Sequence, residues 1–292
     1  MTILSTPRPR FTRALVRQLA PSFAAAVSKH PGSATIDMAL AHQQHDAYEQ
    51  AVQQMLGQGT KIVQVPTDQA HPDCCFVEDT CVTIRNVAVF THPGHVSRQG
   101  EVVGIKKAIT AHVPEIEHVY SMEAPATMDG GDVLFTGAHL FIGLSDRTNR
   151  AGADFLAAMM TKHHPTLAVV IADLASQPTL HFKCVMTFLT HNVLVISDDE
   201  PGHLAWNQIP EPVRAAYHVI WVPDQVASNV LSFPDGKDGL AGVIVQEGFP
   251  ASEEILKSEI EARFPGTKIV PLQMSEFIKA DGALTCCSLL FA

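Results

Sequence analysis

The chain has 292 residues, of which 46% are hydrophobic and 17% are charged, and its formal net charge is −10. This composition allows a substantial core and argues against disorder. Phosphate binding rests on clustered Lys and Arg, which the sequence lacks, so we expect no nucleic-acid partner. No apolar stretch reaches the ~20 residues that a membrane-spanning helix needs. The first ten residues lack an apolar run of signal-peptide length, and we predict a cytoplasmic protein.

The chain contains six cysteines, and four of them form the adjacent pairs Cys74-Cys75 and Cys286-Cys287. Neither pair has the spacing of a secreted disulfide framework or of a CxxC zinc site, so we expect reduced thiols. The second pair lies in an apolar, strand-like run that ends at Ala292. Such a run must be tied into a sheet to be ordered. In a strand the two thiols would face opposite sides, so one of them at most could reach a given site.

The first elements in chain order are a strand, an amphipathic helix and a second strand. Residues 12–17 are β-rich and precede Pro21, whereas residues 37–56 place apolar side chains at helical spacing. Gly57 ends this helix, and residues 61–65 (KIVQV) have the composition of a strand.

A β-hairpin pattern then recurs at intervals of about fifty residues. The hairpins comprise residues 74–84 with 87–91, 132–135 with 140–145, 184–190 with 193–197, and 229–233 with 242–246. Each hairpin is followed by a predicted helix and then by a short apolar strand. The helices span residues 100–111, 148–162, 211–217 and 251–263, and the strands span residues 116–120, 167–171, 219–222 and 267–270.

Residues 285–291 can serve as the first strand of a fifth unit, which the N-terminal elements complete. Five such units around an axis form a closed ring when the C-terminal strand pairs with an N-terminal strand. The loops of all units would then converge at the axis. No linker or low-complexity stretch separates the units, so residues 1–292 are predicted to form a single α/β domain.

Three polar sites interrupt the hydrophobic pattern of the hairpins. The first is Glu78-Asp79 within a predicted strand, where alternation directs at least one carboxylate inward unless the segment is a solvated turn. The second is the sequence MDGGDV, in which Asp129 and Asp132 flank two glycines, as in a turn or in a backbone that approaches a ligand closely. The third is His181 at the start of the third hairpin, where a structural role is the alternative.

Two loop arginines, Arg98 and Arg147, are either solvated or available to bind a carboxylate group. If the units surround an axis, the carboxylates, His181 and a C-terminal thiol face a common channel. These groups are the set required for attack on a guanidinium carbon. The carboxylates would hold the cation, the cysteine would attack, and the histidine would move protons.

Six segments of the chain resemble the dimethylarginine dimethylaminohydrolase family, in the same order and at similar spacing. They are PDCCFVEDT (72–80), SRQGE (97–101), ATMDGGDVLFTG (126–137), GLSDRTNRAGA (143–153), LHFKC (180–184) and MSEFIKADGALTCCS (274–288). The resemblance extends from about residue 12 to the C-terminus and implies a five-bladed α/β propeller of ββαβ units. It also implies hydrolysis of Nω-monomethyl- and Nω,Nω-dimethyl-L-arginine to L-citrulline and the methylated amine, and through these substrates a link to nitric oxide regulation.

The resemblance assigns the chemistry to three residues. Cys286 is the nucleophile that forms a covalent thiouronium-type intermediate, His181 protonates the leaving amine and then activates water, and Asp129 orients His181. The implied substrate-binding residues are Asp79 for the guanidinium, Glu78 in the same segment, Asp73 for the ammonium group, Arg98 and Arg147 for the α-carboxylate, and the backbone of Ala280 and Asp281. The lid residue of the family falls on Val27 or nearby.

No metal or organic cofactor is implied, and zinc bound by Cys286 and His181 would act as an inhibitor. The expected partner is a small methylated arginine, and the protein is expected to be a monomer or a homodimer. A bound guanidinium cation would favour the thiolate, so the substrate is expected to help activate its own nucleophile.

Two other functions stay open. The first is an arginine deiminase or amidinotransferase on the same fold, but those relatives resemble HxD at the catalytic histidine, whereas this chain has His181-Phe182-Lys183. The second is a non-catalytic zinc-binding or interaction protein that uses Cys286, Cys287 and His181. That protein would retain stoichiometric zinc and would produce no citrulline.

Overall fold

The computed structural model describes residues 10–28, 35–57 and 59–292. Within these residues, fifteen strands form five three-stranded sheets. The strands are β1 Arg13–Arg17, β2 Lys61–Val65, β3 Cys81–Ile84, β4 Val87–Phe90, β5 His118–Ser121, β6 Val133–Phe135, β7 His139–Leu144, β8 Ala168–Asp173, β9 Met186–Thr190, β10 Val193–Ser197, β11 His218–Val222, β12 Leu231–Pro234, β13 Leu240–Gln246, β14 Lys268–Leu272 and β15 Ser288–Phe291. The α-helices are α1 Met38–Leu56, α2 Val102–His112, α3 Arg150–His163, α4 Glu200–Gln208, α5 Glu211–Arg214, α6 Pro250–Arg263 and α7 Ser275–Ile278.

Each sheet has the same internal order and defines one unit of the ring. Units one to five are β3-β4-β5, β6-β7-β8, β9-β10-β11, β12-β13-β14 and β15-β1-β2. The first and second strands of a unit are antiparallel, and the second and third are parallel. A parallel pair needs a crossover connection, which one or two helices provide in each unit. The predicted five-bladed α/β propeller of ββαβ units is confirmed.

The two ends of the chain close the ring through unit five. Strand β15 pairs antiparallel with β1, where Leu15 lies opposite Leu289, and β1 pairs parallel with β2. The buried Tyr48 of α1 fixes the end of β15 from the other side, because its hydroxyl lies 2.9 Å from the carbonyl oxygen of Leu284 and 2.8 Å from Ser288 Oγ. The C-terminal strand is therefore held by both the sheet and the helix of its unit.

A 3₁₀ turn precedes the first strand of every unit. The turns span Val77–Thr80, Gly130–Asp132, Phe182–Cys184, Val226–Ser228 and Thr285–Cys287. Turns of neighbouring units contact one another around the axis, as the first turn contacts both the second and the last. Side chains in or next to these turns are therefore brought together although they are far apart in the sequence.

These turns correct two of the predicted strands. Glu78 and Asp79 lie in a 3₁₀ turn rather than in a strand, and both are buried. Cys286 and Cys287 also lie in a turn, and β15 begins only at Ser288. The expected alternation of side chains across a strand therefore does not apply to either pair.

The helical part of unit three also differs from the prediction. The helix expected over residues 211–217 is the short α5, and it is preceded by α4, which the sequence pattern did not indicate. Asp199 caps α4 by accepting the N–H of Gly202 at 2.9 Å, and Pro201 occupies its first turn. Pro and Gly are unfavourable inside helices, so the sequence of this segment argues against one, although Pro is well tolerated in the first turn.

No helix among the described residues combines the length and the apolar character needed to cross a membrane.

Candidate active site

Residues in or next to four of the five 3₁₀ turns enclose a small cavity at the axis. Its volume is about 20 Å³, which is room for about one water molecule, so the site is closed in this structure. Nine of the ten predicted site residues line it, namely Asp73, Asp79, Arg98, Asp129, Arg147, His181, Ala280, Asp281 and Cys286. Val27, Phe76, Leu180 and Gly282 complete the wall.

The two C-terminal thiols have different surroundings. Cys286 lines the cavity and is 8% exposed, whereas Cys287 is fully buried and its Sγ donates to the carbonyl oxygen of Ala283 at 3.6 Å. Burial raises the pKa of the Cys286 thiol well above its usual value, and the nearby carboxylates Glu78 and Asp79 raise it further. The thiol is therefore protonated at neutral pH.

His181 and Asp129 form a buried pair across units three and two. His181 Nε2 lies 3.0 Å from Asp129 Oδ2. Burial by itself lowers the pKa of His181, but the carboxylates of Asp79, Asp129 and Asp132 together raise it to about 9. The imidazole is therefore protonated at neutral pH, its Nε2–H donates to Asp129, and Nδ1 carries the second proton.

Asp79 carries a negative charge beside this pair. Its Oδ1 accepts the N–H of Gly131 at 2.9 Å, and its Oδ2 accepts Nη1 of Arg98 at 2.6 Å. Although burial raises the pKa of Asp79, His181 and Arg98 hold it below its usual value. Residue 131 must be glycine because there is no room for a side chain: a Cβ there would lie 2.5 Å from His181 Nδ1 and 3.0 Å from Asp79 Oδ1.

The two arginines of the site differ in how many of their guanidinium N–H groups already have hydrogen-bond partners. Arg98 donates through Nε and Nη2 to the carboxylate of Glu101 at 3.1 and 2.9 Å, and through Nη2 to the carbonyl oxygen of Phe76 at 3.0 Å, in addition to Asp79. Arg147 Nη1, by contrast, is buried and has no hydrogen-bond partner among the described residues. An orphaned buried donor in a native site indicates a place for a ligand or water. The geometry thus favours Arg147 over Arg98 as the binder of an anionic group.

Asp73 lies under the N-terminal segment that closes the cavity. The backbone N–H of Val27 donates to both of its carboxylate oxygens, at 3.1 and 3.3 Å. Ser28 Oγ lies 3.4 Å from Asp281 Oδ1 on the opposite wall. Burial raises the pKa of Asp73, while the charges of Arg98 and Arg147 oppose this shift. Asp73 therefore joins the segment around Val27 to the site, and an ammonium group would compete with Val27 for its oxygens.

Glu78 is the predicted site residue that the structure places elsewhere. Its carboxylate forms an ion pair with Lys183, and its Oε2 accepts the hydroxyl of Thr285 at 2.8 Å. Glu78, Lys183 and Thr285 line a second cavity, of about 110 Å³, along the first strands of the units. Glu78 therefore supports the residue before Cys286 from below, and a clamp of Glu78 and Asp79 around one cation is not formed.

One group of side chains near the axis has the spacing of a metal site. Among the described residues, Asp79, Asp129 and His181 place one ligand atom each within 4.8 Å of one another. Cys286 is not a member of this group, although it was half of the zinc site inferred from the sequence. A zinc ion at these three residues would bind both members of the His181–Asp129 pair and the carboxylate of Asp79.

Two residues of the site were not singled out as functional from the sequence. Glu101 lies three residues after Arg98, a spacing at which helical side chains meet, so this ion pair could have been predicted. Thr148 accepts the N–H of Asp129 at 3.2 Å across two loops, and no local pattern indicates such a contact.

Comparisons with known proteins agree with this fold. A family model described as RNA-editing substrate-binding complex 5 protein matches residues 11–284. The chain is 32% identical over 261 residues to an N(G),N(G)-dimethylarginine dimethylaminohydrolase of Pseudomonas aeruginosa, which covers 87% of this chain and 90% of that protein. It is 30% identical over 276 residues to the protein of the same name from Streptomyces coelicolor, covering 94% and 95%. A structure of the Pseudomonas aeruginosa protein, a mutant complexed with citrulline, has a TM-score of 0.80 and 28% identity, covering 97% of this chain and 100% of that chain.

Proposed function

Since this chain belongs to the dimethylarginine dimethylaminohydrolase family, we propose that it hydrolyses Nω,Nω-dimethyl-L-arginine and Nω-monomethyl-L-arginine to L-citrulline and the methylated amine. The observation that carries the proposal is one closed cavity lined by Cys286, His181, Asp129 and Asp79. These are a nucleophile, a charged proton donor with its orienting carboxylate, and an ionised carboxylate for a cation.

The protonation states suit the first half of this reaction. The guanidinium of the substrate binds beside Asp79 and lowers the pKa of the neighbouring Cys286 thiol, because an opposite charge favours the thiolate. The thiol proton leaves to solvent, and the thiolate attacks the guanidinium carbon. His181, already protonated, gives its proton to the departing amine. The carbon–nitrogen bond breaks and a thiouronium group remains on Cys286.

The second half reverses the role of the histidine. Neutral His181 takes a proton from water, and the resulting hydroxide attacks the thiouronium carbon. The carbon–sulfur bond breaks as the proton of the added hydroxyl passes to the departing sulfur, citrulline and the free thiol result, and Asp129 holds the ring in place through both steps. The reaction needs Cys286 as a free thiol, and all six cysteines are free in the structure. A reducing location such as the cytoplasm fits this requirement.

The other residues that line the cavity are available to bind the amino-acid end of the substrate. Arg147, with its orphaned Nη1, binds the α-carboxylate, and Asp73 binds the ammonium group. A cavity of about 20 Å³ holds no such molecule, so the segment around Val27 must release Asp73 before substrate enters. Ala280 and Asp281 face the same cavity and are available for backbone contacts.

Two alternative functions lose support, one because of Lys183 and the other because of the net charge of the chain. Arginine deiminases resemble HxD, with an aspartate two residues after the histidine. This chain has Lys183 at that position, and its ammonium group pairs with Glu78. The name of the matching family model concerns RNA editing, but this chain has a formal net charge of −10, whereas RNA binding relies on basic surfaces. We therefore propose a small methylated arginine, and no nucleic acid, as the partner.

Citrulline formation tests the proposal directly. Dimethylarginine, monomethylarginine and arginine are supplied in parallel to the wild type, to Cys286→Ser and to the matched control Cys287→Ser. We expect turnover of the methylated substrates by the wild type, loss of turnover in Cys286→Ser, and most of the activity in Cys287→Ser. Turnover of arginine alone would refute the substrate assignment, and full activity of Cys286→Ser would refute the nucleophile.

Zinc added to the wild type is expected to inhibit, with Asp79, Asp129 and His181 as its ligands.

A further inference from the structure

Asp132 is a buried carboxylate that touches no reacting group in the proposed chemistry, although its charge helps to keep His181 protonated. It ends the 3₁₀ turn Gly130–Asp132, is fully buried, and lies outside the lining of the catalytic cavity. Its Oδ2 accepts the hydroxyls of Ser145 and Thr148, both at 2.6 Å, and its Oδ1 accepts the N–H of Phe182 at 2.9 Å. An ionised carboxylate only accepts, so it determines where each of these three protons points.

One branch of this network leads to Arg147. Because the Ser145 hydroxyl gives its single proton to Asp132, its lone pairs can accept the N–H of Arg147 at 3.0 Å and that of Thr148 at 3.2 Å. The N–H of Ser145 in turn donates to the carbonyl oxygen of Thr148 at 3.1 Å. The loop is thereby closed on itself, and the backbone that carries the Arg147 guanidinium is fixed.

The other branch leads to the proton-transfer pair. The Thr148 hydroxyl donates to Asp132 and accepts the N–H of Asp129 at 3.2 Å. The N–H of Phe182, the residue after His181, is held by Asp132 directly. Both members of the 3.0 Å His181–Asp129 pair are therefore tied to the carboxylate that also holds the Arg147 loop.

We propose that Asp132 is a positioning residue that fixes the separation between the Arg147 guanidinium and the His181–Asp129 pair, and thereby selects substrates by chain length. The inference rests on the proposed function, in which one molecule must reach both places at once. A fixed separation accepts the three methylenes of an arginine side chain and discriminates against four. The discrimination is expected to be large, because a 1 Å misplacement of reacting groups can cost about 10²-fold in rate.

The experiment compares kcat/KM for Nω,Nω-dimethyl-L-arginine with that for its homologue with one more methylene, measured as released dimethylamine. The wild type is expected to favour the shorter substrate strongly. Asp132→Asn should reduce this preference at least tenfold, and Ser145→Ala should also reduce it, chiefly through KM, because it frees only the Arg147 loop. Asp224→Asn is the matched control, since Asp224 accepts the Ser252 hydroxyl at 2.7 Å in another part of the ring and should leave the preference unchanged.

A purely structural role for Asp132 predicts a different result. Both substrates would then lose activity by the same factor in Asp132→Asn, and that outcome overturns the proposal. If Asp132→Asn fails to fold, Ser145→Ala and Thr148→Val keep the carboxylate and provide the same test. A wild type that releases dimethylamine from neither substrate refutes the proposed function and the inference with it. An active wild type whose preference is unchanged in every variant refutes the positioning role alone.

Discussion

The buried ion pair beneath the site leads to a prediction about stability. Lys183 and Glu78 have side chains only 12% and 10% exposed, and they pair with each other between units three and one. In Lys183→Met the Glu78 carboxylate stays buried without its cation, a change that typically costs about 3–5 kcal/mol of unfolding free energy. With a denaturant slope of about 3 kcal/mol per molar urea, the unfolding midpoint should fall by about 1–1.7 M.

Two further variants test whether the loss of stability in Lys183→Met comes from the uncompensated charge of Glu78 or from lost packing. In Glu78→Gln/Lys183→Met the uncompensated charge is gone, and the Gln oxygen can still accept the Thr285 hydroxyl, so most of the stability should return. In Lys257→Met an exposed i,i+4 pair with Glu261 is removed, which should cost less than about 1 kcal/mol.

The pH dependence supplies a further test of the same reasoning. Burial raises the pKa of Glu78, whereas Lys183 lowers it, so removing Lys183 raises it further. A carboxyl whose folded-state pKa lies above its unfolded value stabilises the fold at low pH and loses that contribution as pH rises. The gap between Lys183→Met and the wild type should therefore narrow as pH falls from 8 to 5. A variant within about 1 kcal/mol of the wild type at pH 8, or a gap independent of pH, would refute the reasoning.

Two further predictions concern the proton-transfer pair. Asp129→Asn removes the negative charge from the acceptor of the His181 Nε2–H, and a hydrogen bond between charged groups is worth about 1.5–3 kcal/mol, so His181, whose pKa is about 9, should lose its proton at lower pH. The alkaline limit of the kcat/KM profile should then move down, and an unmoved limit would contradict this role. Gly131→Ala should lower kcat about 100-fold, because its methyl group would lie 2.5 Å from His181 Nδ1. Full activity with an unchanged melting temperature would show that the ring has room to shift.

The ring could be predicted from the sequence because its pattern is repeated and its ends are complementary. An apolar segment at the C-terminus needs a partner strand, and β1 at the N-terminus supplies it. The starts of the strands were less predictable. The 3₁₀ turns before β3 and β15 contain strand-like residues, so composition alone extends these strands too far. Helix α4 was missed because its sequence, EPGHLAWNQ, contains the two residues that most often end helices.

The sequence indicated most of the residues that meet at the cavity, but it did not indicate which way neighbouring side chains point. Adjacent residues in a 3₁₀ turn point about 120° apart, since the turn has about three residues per revolution. This rotation directs Asp79 to the cavity that Cys286 lines and Glu78 to the cavity beneath it, although both belong to one motif. The same rotation separates Cys286 from Cys287. Sequence motifs therefore identify the right turn, while only the turn geometry decides which of two neighbours reaches the cavity.

The charges of the closed site explain why Cys286, the proposed nucleophile, is a protonated thiol before substrate binds. Asp79 already lies beside two cations, Arg98 and protonated His181, so an incoming guanidinium adds a third positive charge to a small buried volume. Uncompensated charge in such a volume is costly, and Cys286, whose thiol lines the same cavity, can offset it by giving up its proton. Loss of that proton restores the balance and creates the thiolate at the moment when its target is present. A thiolate formed earlier would face Glu78 and Asp79 without a cation of its own, and the raised pKa of Cys286 prevents this.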